Sequence, residues 1–412
     1  MNEQFFHVVD VATFHSLLRS FPALSRTKQL PLNEACGRVL AEDVVAREPI
    51  PPFTRSCMDG YAVAARETFG ASESIPAYLE LAGQVDIQSM PEFSLSEGQC
   101  AAVVTGSCIP EGADSVVMME HCHCLGDGAL QVARPVAPGE NILYRGEDCD
   151  GEDTAVFAGS VLESGRVGIL AALGVTSVPV FQRPRVGLIA TGDELVPADR
   201  PVYEAQIRDV NSPAVSCLIR QSGAEPIPYG IASDNEAELA EVLAKAAAEC
   251  DVLLVSGGSS VGARDITLDA MGHLPDFRLM AHGVSMSPGK PTILAASGYL
   301  PIIGLPGQVT SAQVVTLILL CPFLRYVQGD ERAELQGVRR RRATLLRNLA
   351  SKQGREDYVR ARLTEGDGEL LAEPVLGPSG LLRTMLEADA LLRIPENVEG
   401  LYKGQSAEIL PL

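Results

Sequence analysis

Between residues 184 and 328, short apolar runs alternate with longer amphipathic ones. Val186–Ala190 predicts a buried strand that runs into Thr191-Gly192-Asp193-Glu194. Ser212–Ser222 predicts a helix and Ile227–Ala232 a strand. Asn235–Cys250, rich in Ala, Glu and Leu behind the capping candidates Ser233 and Asp234, predicts a second helix. Asp251–Val255 predicts a strand ending in Ser256-Gly257-Gly258-Ser259-Ser260-Val261-Gly262, and a helix follows over Ile266–Met271. Strands at Thr292–Ala296 and Leu300–Ile303 lead into Gly304-Leu305-Pro306-Gly307 and a last helix over Thr310–Leu324. This alternation predicts a doubly wound α/β domain on a parallel sheet.

The flanks have other textures. Val11–Phe21 and Leu32–Ala41 carry apolar residues at helical spacing, and Pro49, Pro51 and Pro52 then mark a boundary. From Arg55 to about Val136, short Val/Ala/Leu runs sit between Gly, Pro and Ser, which predicts a small β-rich domain. Residues 141–180 return to a mixed pattern with a helix over Gly165–Leu173, and residues 338–412 alternate as a small β-barrel does. The expected fold is multidomain α/β plus β. A discontinuous helical linker domain spans 1–46 and 141–183, a β-rich inserted domain 47–140, the α/β domain 184–330 and a C-terminal β-barrel 331–412.

With 33 Lys+Arg against 53 Asp+Glu, the net charge of −20 repels nucleic-acid phosphate and anionic lipid. The basic run Arg339-Arg340-Arg341-Arg342 reads as a solvated face. Ten scattered cysteines and no leader pattern at the N-terminus place the chain in a reducing, cytoplasmic setting. The longest apolar stretch, Val314–Leu324, is too short for a membrane span and contains Pro322. His121-Cys122-His123-Cys124 offers soft ligands. In a strand, however, its cysteines and histidines point to opposite faces, so a hairpin ending at Gly126-Asp127-Gly128 is the expected reading.

Ligands of open α/β sheets bind beyond the carboxyl ends of the strands. Three such ends here are unusual: Asp193-Glu194 at a turn, the Gly/Ser loop after Ser256, and the Gly-rich segment Gly304–Ser311. Lys290 sits between turns in Ser287-Pro288-Gly289-Lys290-Pro291, and Asp265 opens a helix. Neither a Walker loop nor a GxGxxG fingerprint is present. One lysine and three acids around backbone-rich loops suit a phosphate-bearing ligand with Mg²⁺ held by Asp193, Glu194 and Asp265.

The ordered motifs Ser56-Cys57-Met58-Asp59-Gly60-Tyr61-Ala62-Val63, Arg145-Gly146-Glu147-Asp148, Ala190-Thr191-Gly192-Asp193-Glu194-Leu195, Ser256-Gly257-Gly258, Pro288-Gly289-Lys290-Pro291 and Gly304-Leu305-Pro306-Gly307 resemble the molybdopterin molybdenumtransferases. That group includes the C-terminal domain of gephyrin. The resemblance covers nearly the whole chain. It implies a four-domain elongated homodimer in which the α/β domain binds molybdopterin, and insertion of molybdate into adenylylated molybdopterin with Mg²⁺ and release of AMP. It also implies a cleft shared between the α/β domain of one subunit and the β-rich domain of the other. Carried over by motif, the catalytic residues are Asp59, Thr105, Asp148, Glu194, Lys290 and Arg360. The metal-binding acids are Asp59, Glu194, Asp209, Asp234 and Asp265. The pterin-binding residues are Asn211, Ser256, Gly257, Gly258, Pro288, Gly289, Gly304, Pro306, Gly307, Ser311 and Ser379. Expected partners are the small-molecule substrates, a second copy of the chain, and a molybdopterin adenylyltransferase or a recipient molybdoenzyme.

The chain departs from that pattern at the oxyanion. Ser287 and Gly283 stand where the family carries basic residues, and Gln308-Val309 replaces an Asn-Pro pair. A lost charge-assisted contact weakens anion binding by about 1.5–3 kcal/mol. Arg264 is a candidate for partial compensation, and the neutral hydroxyls of Ser285 and Ser287 suit instead a different oxyanion or a differently charged ligand. Two functions are compatible with these residues: a transferase acting on molybdate or tungstate, and a paralogue that holds the pterin or the finished cofactor and delivers it to a partner enzyme.

Overall fold

The computed structural model describes residues 7–126, 128–257, 263–330, 333, 340–366 and 368–412, without the side chains of 263–265. The expectations for Gly258, Asp265, Arg264 and Arg339 therefore lie outside the described residues or side chains.

The α/β domain consists of β1 (Arg185–Thr191), α1 (Asn211–Gln221), β2 (Glu225–Ala232), α2 (Glu236–Glu249), β3 (Val252–Ser256), α3 (Ala263–Gly272), β4 (Phe277–His282), β5 (Ile293–Ser297), β6 (Leu300–Leu305) and the helix α4 (Val309–Val327). The sheet order is β2-β1-β3-β6-β5-β4. Strands β2, β1, β3 and β6 are parallel, as the apolar runs predict, but β5 runs antiparallel to both β6 and β4. The reason is local: Gly298-Tyr299 joins β5 to β6 as a tight hairpin, which leaves no chain for a crossover. Residues of β1, β3 and β6 are buried on both faces. Val215 and Ile219 of α1 and the apolar side of α4 cover one face, and Leu239 and Leu243 of α2 with Ala270 and Met271 of α3 cover the other.

Helix α4 is longer than expected, 19 residues with a π turn at Thr316–Leu320. By length and composition it could cross a membrane, but 72% of its apolar window is buried inside the protein, so it acts here as a core helix. The cap of α2 also differs from expectation. Asn235, one residue after the predicted cap, accepts the Glu238 amide at 3.1 Å.

Leu32–Ala41 is not helical. After the strand Thr27–Pro31 it makes one 3-10 turn, Leu32–Glu34, and then extended bridges from Val39 to Val161 and from Leu40 to Val180. Gly37, with φ +74°, ends any helical path there. Thr27–Pro31 pairs with Ser177–Phe181, and Val44–Val45 with Thr154–Val156, so the two halves of the linker do meet, around Leu162 and Leu170. The first helix, Val11–Leu18, packs elsewhere: Phe14 and Leu18 enter the core formed with α4. The inserted sheet orders Ser115–Met118, Gly60–Val63, Gln99–Val103, Ala77–Val85, Ala129–Val132 and Cys122–Cys124.

The C-terminal region is a closed five-stranded barrel of β7 (Arg341–Leu345), β8 (Glu356–Gly366), β9 (Glu369–Pro374), β10 (Ala390–Ile394) and β11 (Ser406–Pro411), closed by β8 against β10.

His15, on the first helix, is 6% exposed, and burial lowers its pKa from 6.5 to about 4 against a smaller opposing pull from Glu356. Arg19 and Arg340 lower it further. The unfolded chain therefore takes up this proton first. Stability contributed by neutral His15 is complete above pH 6.5 and is lost as pH falls toward 4, by about 3 kcal/mol in all. Denaturant melts of His15→Leu across that range are expected to show a shallower acid slope than those of the parent chain.

Candidate active site

Connections from β1 leave first toward β2 and then back across to β3, so the winding reverses between β1 and β3. This switch point is where an open α/β sheet leaves a crevice. The strand ends are level there: Ala190 pairs with Ser256, and Ser256 with Leu305. Asn211, at the start of α1, donates from Nδ2 to Ser256 Oγ at 3.3 Å and to the Gly307 carbonyl at 2.9 Å. It thereby ties the Ser256 and Gly304–Gly307 loops together, and Asp209 Oδ1 accepts the Ser212 amide at 3.0 Å to fix the helix start. Gly257 turns with φ +128°, and an added Cβ would lie 2.1 Å from the Thr191 carbonyl. Gly257→Ala is expected to cost about 3 kcal/mol or more, since backbone meets backbone, and to lower the midpoint of a denaturant melt together with pterin affinity.

The acids gather beside this crevice. Leu195 N donates to the Gly192 carbonyl at 3.0 Å, closing the turn that presents Asp193 and Glu194. Asp193 Oδ1 accepts the Asp234 amide at 3.1 Å. The Asp234 carboxyl is held above its usual range by burial first, then by the charges of Asp193 and Glu194. These three carboxylates therefore share one field. Among the described residues, no three His, Cys, Asp or Glu side chains converge into a ready-made metal cage.

The lysine loop and the barrel close the other side. Met286 and Ser287 pair in parallel with Glu356 and Asp357 of β8. Gly289 lies flat on α4, where a Cβ would meet Val315 at 2.6 Å. Lys290 is exposed, and its backbone carbonyl accepts from Val284. Gly283 has φ +111°, and a Cβ there would come within 3.1 Å of Val8. Any side chain at that position is thus disfavoured by the backbone itself. Arg360 points from β8 to the Gly377 carbonyl at 2.6 Å, and two residues on the Ser379 carbonyl accepts the Thr310 amide at 3.1 Å. The Gly377–Ser379 segment thus joins Arg360 to the start of α4, beside the buried Ser311.

Among the described residues, four buried polar atoms at this end of the domain have no hydrogen-bond partner. They are Thr191 Oγ1, Asn211 Oδ1, Thr310 Oγ1 and Arg360 Nε. Each such atom costs about 1–3 kcal/mol unless something pairs with it, so these four are available to hydrogen-bond a polar group in the crevice. Thr191 and Thr310 escaped sequence reasoning. Thr191 stands in the Ala190–Leu195 motif and Thr310 in the Gly304–Ser311 segment, but the isolation of their hydroxyls becomes visible only once strand ends and loops are placed.

Asp59 and Thr105 do come together, but on the inserted sheet. Asp59 Oδ1 accepts both the Thr105 amide at 2.7 Å and its hydroxyl at 2.8 Å, and these two bonds hold the carboxyl below its usual range. Asp148 is exposed in the neighbouring turn, its amide bonded to the Ile50 carbonyl. Cys122–Cys124 forms the expected hairpin with Ala129–Val132. Cys124 contacts the Tyr61 hydroxyl at 2.8 Å, and His121 sits against Arg134.

A switch-point crevice with carboxylates beside it, a lysine loop and a barrel-borne arginine define a multidomain protein built around a doubly wound α/β domain. Residues 9–174 match the MoeA N-terminal region (domain I and II), 187–326 a probable molybdopterin binding domain, and 342–412 the MoeA C-terminal region (domain IV). A putative molybdopterin biosynthesis protein of Methanocaldococcus jannaschii is 31% identical over 96% of this chain and 95% of its own length. Molybdopterin molybdenumtransferase 2 of Mycobacterium tuberculosis is 33% identical over 93% and 94%. The crystal structure of the molybdopterin biosynthesis MoeA protein from Pyrococcus horikoshii superposes with a TM-score of 0.81 at 31% identity, covering 98% of this chain and 100% of that one. The chain belongs to the MoeA family of molybdopterin molybdenumtransferases, and its place is in molybdenum cofactor biosynthesis.

Proposed function

We propose that this protein transfers molybdenum from molybdate, or tungsten from tungstate, to adenylylated molybdopterin and releases AMP. The observation that carries this reading is the set of buried polar atoms at the switch point that have no partner among the described residues, with Arg360 reaching the start of α4 through the Gly377–Ser379 segment on one side and Asp193, Glu194 and Asp234 grouped on the other. The two sides have opposite charge and suit the two ends of the chemistry. A tetrahedral dianion calls for cations and N–H donors. An adenylyl phosphate calls for a bridging divalent ion.

The acid set fits Mg²⁺. That ion is usually held by one or two carboxylates together with substrate phosphates and water, rather than by an all-protein cage. Glu194 and Asp234 would hold it, with Asp209 and Asp265 as further acids that the resemblance supplies. When bound, it neutralises the phosphate oxygens and the charge that develops on the departing AMP. The chain's own groups do the rest. Asn211 keeps the Ser256 and Gly307 loops at a fixed spacing, so that the pterin meets preset N–H and hydroxyl groups. Arg360, still a cation although burial lowers its pKa, and Lys290 orient the oxyanion. No histidine is needed as a base.

Asp59 with Thr105 stands on a different domain, and we infer that a second subunit brings the pair to this cleft. A molybdopterin adenylyltransferase would hand over the substrate, and a recipient molybdoenzyme would take the product. All ten cysteines are free, which suits a reducing cytoplasmic setting. The test is AMP release from adenylylated molybdopterin with Mg²⁺, with and without molybdate or tungstate. Oxyanion-dependent release is expected. Tight pterin binding without AMP release would replace this reading with the carrier, and would make Ser287 the reason.

A further inference from the structure

A cavity of about 180 Å³ opens where the first helix, α4 and the barrel meet, lined by His15, Pro322, Arg340, Glu356, Tyr358 and Arg393. None of these residues belongs to the site described above. Across the cavity, Arg393 grips Glu356 with a fork, Nε to Oε2 at 2.9 Å and Nη2 to Oε1 at 2.7 Å, while the Tyr358 hydroxyl donates to Oε2 at 2.6 Å. Arg393 also reaches Glu408 at 3.5 Å, and Arg340 reaches the same carboxylate at 3.0 Å.

The position of this network in the chain gives it a second role. Glu356, Tyr358 and Arg360 alternate along β8 and share one face. The backbone of Glu356 donates to the Ser285 carbonyl at 2.9 Å, and Met286 and Ser287 pair with Glu356 and Asp357. One stretch of β8 therefore supports the lysine loop at its start and carries Arg360 four residues later. The barrel interior is apolar, built from Ala361, Ala390, Leu392 and Ile409, and the Glu356–Arg393 pair lies outside it, joining β8 to β10. A largely buried pair adds little net stability over an apolar equivalent, but its forked geometry allows one arrangement.

We propose that Glu356 and Arg393 are positioning residues: their pairing fixes the root of β8 against the lysine loop and so sets the spacing of Lys290 and Arg360 across the oxyanion. The assignment rests on the transferase reading only for its kinetic consequence. The spacing itself is a property of the free protein.

The test compares the full chain with Glu356→Gln, Arg393→Lys and Tyr358→Phe by amide hydrogen exchange, molybdate binding in equilibrium dialysis, and steady-state AMP release. In Glu356→Gln, exchange at Val284–Lys290 should rise about tenfold while amides of Ala390–Ile394 keep the parent rate. KM for molybdate should rise about tenfold, with kcat and KM for the adenylylated pterin within about twofold. Arg393→Lys keeps the charge and loses the fork, so it should fall between Glu356→Gln and the parent. Tyr358→Phe, which removes one bond, should shift the same readouts by about threefold. Parent-like exchange at the lysine loop, or equal loosening of the barrel strand, would overturn the proposal and leave the pair a purely structural one. If the parent chain releases no AMP, the transferase reading falls. The exchange and dialysis results then decide the positioning role by themselves.

Discussion

Glu194→Gln lowers oxyanion-dependent AMP release by about 10²–10³-fold, on the scale of removing one preorganised electrostatic contact from a reacting centre. The expectation follows from how Glu194 is held. Its main chain does the structural work, since the Glu194 carbonyl accepts the Ile207 amide at 2.8 Å and the Gly192–Leu195 bond closes the turn. The side chain is exposed and shares its field with Asp193 and Asp234. A neutral amide keeps the shape and removes the charge, so folding stability should stay within about 0.5 kcal/mol of the parent. The Mg²⁺ concentration for half-maximal rate should rise at the same time. Steady-state kinetics with Mg²⁺ titration, beside a denaturant melt, reads all three. Full activity in Glu194→Gln would move the phosphate end of the site elsewhere.

Arg360→Ala should raise KM for molybdate by about 10- to 100-fold, the equivalent of one charge-assisted hydrogen bond. Arg360 is buried, spends one guanidinium nitrogen on the Gly377 carbonyl and leaves Nε without a partner. Removing it takes a cation from the proposed oxyanion site, where Ser287 and Gly283 supply no charge. It also frees the Gly377–Ser379 segment that braces the start of α4. Arg360→Lys restores the charge without the fork and should recover only part of the loss. The split between KM for molybdate and KM for the pterin separates the two contributions, because a loosened brace affects both substrates and a lost cation only the oxyanion.

The α/β domain was legible in the sequence because strands buried on both faces read as unbroken apolar runs, and Val186–Ala190, Asp251–Val255 and Leu300–Ile303 are such runs. The strand ends could be placed for the same reason, which is why Asn211, Ser256 and Gly304–Gly307 fall together. What escaped depends on neighbours rather than on local pattern. Leu32–Ala41 has helical spacing, but its partners are strands more than 100 residues away, at Val161 and Val180. The reversed direction of β5 follows from the two-residue hairpin at Gly298-Tyr299, which apolar content alone does not reveal. In sequence, Gly283 reads as a substitution of the basic residue that the resemblance leads one to expect. In the fold it is a backbone conformation, φ +111°, that favours glycine. The orphaned hydroxyls of Thr191 and Thr310 exist only once their surroundings are known.

The most direct test of the transferase assignment is a single turnover with adenylylated molybdopterin, Mg²⁺ and labelled molybdate. The measurement is the ratio of AMP released to molybdenum retained on the pterin. A transferase gives one molybdenum per AMP, with neither product when molybdate is omitted. AMP formed without retained molybdenum, or pterin held with no AMP formed, would contradict it.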